Sequence, residues 1–429
     1  MCCLIAKFEM ETIQLDAVNA FLNAALPQPI FLFPPDGFNN PGHVLKCHKA
    51  LYGLKEAPNL WSNNLACTLQ RLEFEEITEC LWKRNRILLF FFVDDICIAF
   101  LKEDEAIAKF LRDQLMKTYE MRDLGELEWF CGVKIIRDRS KRLLWLNQAT
   151  YIKKIASRFG IKLHNRQIQT PLADRTLQKY EIVATKQQIH AFQSRVGSLN
   201  FAAVQTRPDI AFSVSLLAQH LTNPSADHIQ AADHIMQYLL QTADIGLQFG
   251  NEHADSYRTA QLKFSHLEFY GASDASFADD SETRRSSEGL IFFLFDSAID
   301  WKSVKQTMVT KSSTEAELYA ISHAGTELLW WERIIKKLGL LLDYRPVLLC
   351  DNKQSIRIIT QPGGKINTKM RHVDIQQCWL RERYKSGDIA VDWIDSANMP
   401  ADGFTKLLPV NRHTAFLKQL NLRKTPEQQ

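Results

Sequence analysis

The chain has 429 residues, of which 46% are hydrophobic and 24% are charged, and its formal net charge at pH 7 is +3. This length exceeds what one hydrophobic core accommodates, so roughly two to four compact units are expected, and the composition excludes a disordered or fibrous protein. A net charge this small neither requires nor excludes a polyanionic partner.

Secretion and membrane insertion are not predicted. The nine cysteines include no Cys-x-x-Cys pair, so neither a disulfide framework nor a zinc-ligand spacing is indicated. The apolar start of the chain meets Lys7 too early for a signal peptide. The longest apolar stretch, residues 87–101, contains two acids and is shorter than the roughly 20 residues that cross a bilayer. We therefore expect an intracellular protein, in the cytoplasm or the nucleus, with no membrane partner.

The first candidate functional residue in chain order is an aspartate. Residues 14–22 (QLDAVNAFL) place Asp16 at the end of a predicted strand, just before an apolar helical start. An aspartate in that position is commonly a helix N-cap. A metal ligand is the alternative, and Asp16 alone does not decide between them.

A pair of acids interrupts the most apolar part of the chain. Residues 87–93 (ILLFFFV) are typical of a buried strand, Asp94 and Asp95 follow, and residues 96–100 (ICIAF) resume the apolar character. Adjacent buried carboxylates raise each other's pKa and cost free energy, so they persist with compensation such as a divalent metal ion. A hairpin turn exposed to water is the alternative.

A strongly basic tract lies between residues 134 and 166, after a predicted helix within residues 103–128. It is interleaved with Trp145, Tyr151 and Phe159, as expected of a surface that pairs with phosphates and stacks on bases. An ordinary solvated face is the alternative. The ten basic residues of the tract, set against the single acid Asp138, are Lys134, Arg137, Arg139, Lys141, Arg142, Lys153, Lys154, Arg158, Lys162 and Arg166.

The second half of the chain is predicted to contain helices and then an α/β unit that begins near residue 260. Residues 163–181 form the predicted linker into the helices, and Asp209 is predicted to cap the first of them. The predicted helices are 209–221, 227–241 and 314–338, and the predicted strands are 267–272, 290–295 and 347–350.

Glu317 begins an apolar stripe on the longest predicted helix. Positions 317, 321, 324, 328, 331, 335 and 338 follow a four-three spacing and read Glu, Ile, Ala, Leu, Trp, Ile and Leu. Glu315 lies off this stripe and forms a capping box with Ser312, which explains Glu315 but not Glu317. Because an inward-facing acid needs a partner, Glu317 is the candidate functional residue of the two.

Ordered motifs in the first half of the chain resemble those of copia-type LTR retrotransposon reverse transcriptases, with the resemblance closest to fungal elements. Residues 14–22 resemble the first palm motif, residues 50–58 (ALYGLKEAP) the Leu-Tyr-Gly-Leu-Lys motif, and residues 92–95 (FVDD) the Tyr-Val-Asp-Asp box. Residues 129–132 (WFCG) are similar to the primer-positioning hairpin. The resemblance implies that the catalytic metal ligands are Asp16, Asp94 and Asp95.

The same resemblance implies substrate contacts. It assigns Phe21 as the gate against ribose 2′-hydroxyls and places Gly53 near the incoming nucleotide. The full set of implied substrate-binding residues is Phe21, Tyr52, Gly53, Lys55, Trp129 and Gly132.

A second set of acids resembles the ribonuclease H fold. Asp274, Asp351 and Asp402 lie at predicted strand ends or turns, where each alone is more often a cap or turn residue. With Glu317 they match the Asp, Glu, Asp, Asp set of that fold, in the same order and on the same elements. The resemblance implies that these four residues bind two metal ions and hydrolyse the RNA strand of a hybrid. His372 matches a family motif, and a structural histidine is the favoured interpretation.

The resemblance implies an RNA-directed DNA polymerase with ribonuclease H activity. The implied cofactor is Mg²⁺, two ions per active site, with Mn²⁺ as a substitute, and the implied partners are an RNA template, a DNA primer, an RNA–DNA hybrid and dNTPs. The expected fold class is multidomain α+β and α/β. It comprises a reverse transcriptase palm with a ferredoxin-like antiparallel sheet, thumb and connection helices, and a ribonuclease H-like mixed α/β domain.

The expected domains follow the motifs. They are 1–125 for truncated fingers and palm, 126–180 for the primer-grip hairpin and a thumb-like basic segment, 181–262 for a helical connection, 263–410 for the ribonuclease H-like domain and 411–429 for a C-terminal tail. The chain starts 15 residues before Asp16, which is short for a fingers region. The alternative function is therefore a truncated, polymerase-inactive remnant that folds and binds nucleic acid.

Overall fold

The computed structural model describes residues 1–38, 42–164, 166–172, 177–250, 268–342, 344–361 and 371–426, with only the backbone of residues 371–377. The chain divides into two compact units. The N-terminal unit comprises residues 3–131 together with Met1, and the C-terminal unit comprises residues 132–429 together with Cys2. The domain boundaries expected from the motifs stay predictions.

An antiparallel sheet with helices forms the N-terminal unit. Six strands are hydrogen-bonded in the order β4-β5-β6-β7-β1-β8, and β2 and β3 form a separate hairpin. The elements as far as residue 131 are α1 (Cys2–Lys7), β1 (Glu11–Ala17), β2 (Ala25–Leu32), β3 (Leu45–Lys49), α2 (Ala57–Arg71), β4 (Glu75–Thr78), β5 (Leu81–Arg84), β6 (Ile87–Phe92), β7 (Asp95–Phe100), α3 (Glu105–Thr118), β8 (Met121–Gly125) and β9 (Trp129–Phe130), with a short 3₁₀ helix at Ala20–Asn23 and another at Lys102–Asp104.

Apolar residues at helical spacing hold α2 and α3 against this sheet. Trp61, Leu65 and Leu69 recur every fourth residue on α2, and each is at most 1% exposed. Leu111 and Leu115 on α3 are fully buried in the same core. Burial of such side chains contributes about 1.5–3 kcal/mol each relative to exposure. The helix predicted within residues 103–128 is confirmed as α3.

Helices and two sheets make up the C-terminal unit. Strands β18, β12, β11 and β10 are neighbours in one sheet, and a second sheet has the order β15-β14-β13-β16-β17. The elements are β10 (Val133–Asp138), β11 (Leu143–Asn147), α4 (Ala149–Arg158), α5 (Lys186–Gln205), α6 (Ala211–Ala218), α7 (Ala226–Gln241), β12 (Ile245–Phe249), β13 (Phe269–Ser276), β14 (Ser287–Leu294), β15 (Ser297–Lys305), α8 (Ser313–Lys337), β16 (Val347–Cys350), α9 (Lys353–Thr360), α10 (Arg371–Ser386), β17 (Ala390–Trp393), α11 (Val410–Gln419) and β18 (Leu422–Lys424), with 3₁₀ helices at Pro208–Ile210 and Pro400–Phe404.

The second sheet of this unit is mixed. Strands β15, β14 and β13 are antiparallel neighbours, whereas β13, β16 and β17 run parallel to one another. Helix α8 packs on the sheet through small residues, with Ala316 and Ala320 against Ala275 of β13. The fold class expected from the sequence, antiparallel and mixed sheets with helices in a multidomain chain, is confirmed. Because β13 and β16 are parallel neighbours, their carboxyl ends lie at the same edge of the sheet.

The predicted role of Asp209 as a helix cap is wrong. Helix α6 begins at Ala211, and the Asp209 side chain is instead buried, where it accepts hydrogen bonds from Arg207 and Tyr238. Burial alone would raise the pKa of Asp209, but the Arg207 guanidinium holds it below its usual value. The Arg207 guanidinium donates the hydrogen bonds that the free N–H groups at a helix start would donate to a capping aspartate.

Other sequence-based boundaries agree with the structure to different degrees. The strand predicted at residues 347–350 is β16, and the long helix predicted at 314–338 is α8. The segment predicted as a C-terminal tail contains most of α11, and its strand β18 pairs with β12. No helix in the described part of the chain is both long and apolar enough to cross a membrane.

Two candidate active sites

The first candidate site lies at a tight hairpin in the N-terminal unit. Strands β6 and β7 pair Phe92 with Asp95, so Val93 and Asp94 form the turn between them. Val93 has φ +56°, a left-handed conformation in which a β-branched residue is strained. Its carbonyl accepts a hydrogen bond from Trp61 Nε1 at 2.6 Å, which holds the turn to α2.

Strand β1 brings the third acid to this turn. Asp16 lies opposite Asp95 in the antiparallel pairing of β1 and β7, and the backbone N–H of Ala17 donates to the Asp94 carbonyl at 2.9 Å. The hairpin-turn alternative is confirmed for Asp94, while Asp95 and Asp16 are paired across two strands and the metal-ligand role of the three acids stays a prediction. Asp16 is a strand residue, so its alternative role as a helix N-cap is wrong.

The electrostatic environment of Asp95 shows that the three acids interact. Burial raises its pKa, as do the charges of Asp94 and Asp16, and the backbone N–H of Cys131 donates to Oδ2 at 3.1 Å. Burial and the charges of Asp95 and Asp94 raise the pKa of the Cys131 thiol to about 12. Within the described residues the three carboxylates do not form a set with ligand atoms closer than 4.8 Å; the sets that do are in the C-terminal unit.

The residues that the resemblance assigned to substrate binding differ in their proximity to these acids. The Phe21 ring is buried and lies 4.5 Å, centroid to centroid, from the ring of the exposed Tyr52. The pKa of Tyr52 is raised by partial burial of its hydroxyl and by the negative charges of Asp94 and Asp16. The Trp129 carbonyl accepts from Gln14 Nε2 at 2.5 Å on the neighbouring part of β1.

The remaining three residues of that set are less informative. Gly53 has φ +98° and open space where a side chain would lie, so it permits the turn before α2. Lys55 is exposed in the same turn. Gly132 belongs to the C-terminal unit.

The second candidate site lies at the carboxyl edge of the mixed sheet. Asp274 is near the end of the central strand β13, Asp351 directly follows β16, Glu317 is in the first turns of α8, and Asp402 is in the 3₁₀ helix Pro400–Phe404. Carboxylate oxygens of Asp274, Asp351 and Asp402 lie within 4.8 Å of one another. A second set within that distance joins Glu317 and Asp351 to the Cys350 sulfur.

Burial makes these acids costly when they are charged. Asp274 is 1% exposed, and Glu317 and Asp402 are each 6% exposed. The pKa of Glu317 is raised by burial first and then by the charges of Asp274 and Asp351. The pKa of Asp274 is also raised, again mainly by burial, although Lys406 opposes the shift.

Basic and hydroxyl side chains that the sequence-based reasoning missed contact the same acids. Lys406 Nζ lies 3.2 Å from Asp274 Oδ2 and 2.9 Å from Asp402 Oδ1. Arg412 Nη2 lies 2.8 Å from the other oxygen of Asp402. The Thr405 hydroxyl donates to Asp274, and the Ser396 hydroxyl donates to Asp351 Oδ2 at 2.7 Å. Only the spacing of Lys406, four residues after Asp402, was a signal available in the sequence.

The distinction between Glu315 and Glu317 is supported by their contacts. Glu315 Oε2 accepts from the backbone N–H of Lys311 at 2.8 Å, and its own N–H donates to the Ser312 hydroxyl at 3.2 Å. Glu315 therefore closes the start of α8, whereas Glu317 points to Asp351 and Cys350. His372 lies outside the residues whose side chains are described.

The basic tract is exposed, but its aromatic residues are buried to different degrees. Of its ten basic residues, all except Lys134 and Arg137 are exposed. Trp145 is 5% exposed, so the prediction that it stacks on bases is wrong. Tyr151 and Phe159 are partly buried and pack against the helical core, where the Tyr151 hydroxyl donates to the Ser198 carbonyl at 3.0 Å and Phe159 lies beneath two guanidinium groups. A stacking role for these two rings stays a prediction.

Comparisons with known proteins agree on one family. Residues 1–174 match the family model described as reverse transcriptase (RNA-dependent DNA polymerase). The chain is 32% identical over 425 residues to the retrovirus-related Pol polyprotein from transposon TNT 1-94 of Nicotiana tabacum, with 95% of this chain and 31% of that protein covered. It is 31% identical to the putative transposon Ty5-1 protein of Saccharomyces cerevisiae, with 73% of this chain and 100% of that protein covered.

The chain thus spans about a third of the length of the Pol polyproteins that it matches. Among solved structures, it is similar to a foamy viral protease-reverse transcriptase in complex with double-stranded DNA, at 14% identity and a TM-score of 0.46, with 90% of this chain and 57% of that one covered.

Proposed function

This chain belongs to the Ty1/copia-type family of transposon Pol polyproteins, and from that membership we propose that it is an RNA-directed DNA polymerase with ribonuclease H activity. The proposal assigns polymerisation to Asp16, Asp94 and Asp95, and hydrolysis of RNA in RNA–DNA hybrids to Asp274, Glu317, Asp351 and Asp402. The proposed partners are an RNA template, a DNA primer, the hybrid and dNTPs.

The convergence of four acids from four different elements at one sheet edge is the observation that carries the proposal. Their oxygen atoms are the ligands that Mg²⁺ prefers, and Mn²⁺ accepts the same set. Buried carboxylates with raised pKa values also fit a divalent cation, since a cation would offset their mutual repulsion. The Cys350 thiol is a poor ligand for Mg²⁺, and because burial raises its pKa well above the usual value, it stays protonated.

In the proposed hydrolysis, Asp274, Asp351 and Asp402 would hold one cation, and Glu317 and Asp351 would hold a second. When bound, such cations would supply activation of a water molecule and stabilisation of the charge that develops on the scissile phosphate. Ser396 positions Asp351 through its 2.7 Å hydrogen bond, and the Thr405 hydroxyl positions Asp274. The protein thereby fixes the direction of these two carboxylates before the substrate binds.

The polymerase half of the proposal rests on strand register. Asp16 faces Asp95 across β1 and β7, and Asp94 is in the adjoining turn. The contact of Phe21 with Tyr52, together with the effect of Asp94 and Asp16 on the pKa of Tyr52, supports a nucleotide-binding role for both rings. The exposed basic side chains between positions 134 and 166 are suited to bind the phosphates of a duplex. We assign residues 1–125 to fingers and palm and residues 263–410 to the hydrolytic domain.

Hydrolysis is tested with an RNA–DNA hybrid whose RNA strand carries a label. The full chain with Mg²⁺ should cleave it, and Asp402→Asn should abolish cleavage. Asp395→Asn is the matched control, because that carboxylate is exposed and outside the acid sets. Equal cleavage by the Asp402→Asn variant and the parent would exclude this site as the source of activity.

Polymerisation is tested separately by primer extension on an RNA template. Asp94→Asn should abolish extension, and Asp113→Asn, which changes an exposed acid on α3, should not. The alternative is a folded remnant that binds nucleic acid without polymerising, and the wider spacing of the first acid set favours it. Hybrid binding without any extension by the parent chain would support that alternative.

A further inference from the structure

Lys406 lies in the second acid set, between two of the carboxylates that are proposed to bind a cation. Its ammonium group is 3.2 Å from Asp274 Oδ2 and 2.9 Å from Asp402 Oδ1. Asp274 and Asp402 are themselves two of the three acids whose oxygens lie within 4.8 Å of one another. The ammonium group therefore contacts two of the three carboxylates that a divalent cation would need.

The surroundings of Lys406 differ from those of the second basic side chain, Arg412. Arg412 Nη2 is fixed by two acceptors, Asp402 Oδ2 at 2.8 Å and the Ser396 carbonyl at 2.7 Å. It contacts the Asp402 oxygen that Lys406 leaves free. Lys406 is 41% exposed along its side chain, and a lysine stem has four rotatable bonds, so its ammonium group can move into solvent without loss of the fold.

We infer that Lys406 is an internal counter-cation of the hydrolytic site, which holds Asp274 and Asp402 together in the metal-free protein and is displaced when a divalent cation binds. This inference rests on the proposed hydrolytic function of the same acids. Arg412 stays in place and acts as a positioning residue for Asp402.

Two consequences follow from competition for the same carboxylates. Metal-free protein is stabilised by Lys406, because without it three close carboxylates repel one another and Arg412 is the remaining cation in contact among the described residues. Divalent cations, in contrast, bind less tightly while Lys406 is present, because its contacts must be broken and its charge repels theirs. Lys406 therefore stabilises the metal-free site and weakens cation binding.

The experiment measures cation binding directly, without catalysis. The full chain carries Asp94→Asn and Asp95→Asn to remove binding at the first site, and it is titrated with MnCl₂ by calorimetry. Lys406→Met is compared with Lys418→Met, which makes the same change at an exposed position of α11. Thermal unfolding is recorded for each protein in EDTA and in saturating Mn²⁺.

Lys406→Met is expected to bind Mn²⁺ at least about tenfold more tightly than its parent, which corresponds to about 1.4 kcal/mol. Its Tm in EDTA should fall, and its gain in Tm with Mn²⁺ should exceed that of the parent and of Lys418→Met. Equal or weaker Mn²⁺ binding by Lys406→Met would overturn the inference, as would an equal loss of Tm with and without Mn²⁺.

A failure of the proposed function would give a different result in the Mn²⁺ titration. If the parent binds Mn²⁺ and Asp402→Asn abolishes that binding, the acid set is a cation site whatever Lys406 does. If neither the parent nor Lys406→Met binds Mn²⁺, the hydrolytic proposal itself is refuted and the inference with it.

Discussion

Replacing Glu317 with glutamine should make the metal-free protein more stable and abolish hydrolysis. The side chain is 6% exposed, and its pKa is raised by burial and by the charges of Asp274 and Asp351. At neutral pH this carboxyl must therefore take up a proton on folding, which costs about 1.4 kcal/mol for each pH unit above its usual pKa of 4.5. Glutamine has nearly the same shape and no charge, so we expect a gain of at least about 1.4 kcal/mol in the free energy of unfolding at pH 7.

The raised pKa of Glu317 also determines how the difference in the free energy of unfolding changes with pH. A carboxyl whose pKa is higher in the folded protein than its usual 4.5 binds more protons when folded. The wild-type protein in EDTA should therefore lose stability relative to Glu317→Gln as the pH rises above the usual pKa of this carboxyl. Below that pKa the free energies of unfolding of the two proteins should approach each other. Urea unfolding of both proteins between pH 4 and pH 8, in EDTA throughout, measures the difference.

Glu315→Gln is the matched control for this experiment. A glutamine oxygen can still accept the Lys311 N–H, so we expect only the loss of the charge at the helix start, about 0.3–1 kcal/mol, and hydrolysis close to that of the wild-type protein. Lower stability of Glu317→Gln at pH 7 would refute the electrostatic reasoning. Loss of cleavage in Glu315→Gln with cleavage retained in Glu317→Gln would refute the assignment of the two acids.

Two further predictions concern the supports of the sites. Trp61→Phe removes the hydrogen bond to the Val93 carbonyl. Its free energy of unfolding in urea should fall by about 1 kcal/mol more than that of Trp82→Phe, because the equally buried indole N–H of Trp82 has no hydrogen-bond partner among the described residues. Primer extension should fall in Trp61→Phe only. Arg207→Met leaves Asp209 charged in a fully buried position and should lower the free energy of unfolding by about 3–5 kcal/mol. Urea unfolding measures this loss, and adding Asp209→Leu should recover part of it.

Local patterns predicted the elements that depend on nearby residues. β16 was predicted at its observed bounds because four apolar residues lie between turn-forming residues and an acid. The stripe that begins at Glu317 was predicted because helical spacing depends on the sequence alone, and Ile321, Ala324 and Leu328 are fully buried.

Features that depend on distant residues could not be predicted in this way. Arg412 of α11 contacts Asp402 of the 3₁₀ helix Pro400–Phe404, and Ser396 contacts Asp351 from a separate segment of the chain. No spacing in the sequence indicates either contact. Asp209 failed as a cap because Tyr238, from another helix, completes its buried network. Trp145 likewise lies on a strand with apolar residues on both faces, so alternation gave no sign of its burial.

The two acid sets reduce like-charge repulsion in different ways, and this difference has consequences for mutation. In the first set, the turn leaves Asp94 partly exposed, and a backbone N–H helps to satisfy Asp95. In the second, buried acids are offset by the side chains of Lys406 and Arg412. Replacing Asp402 therefore removes an acid, but it also takes the carboxylate partner of Arg412 and one of the two carboxylate partners of Lys406, whereas replacing Asp94 only lessens repulsion. Asp402→Asn should thus lower stability in EDTA more than Asp94→Asn, although each removes one negative charge from its set.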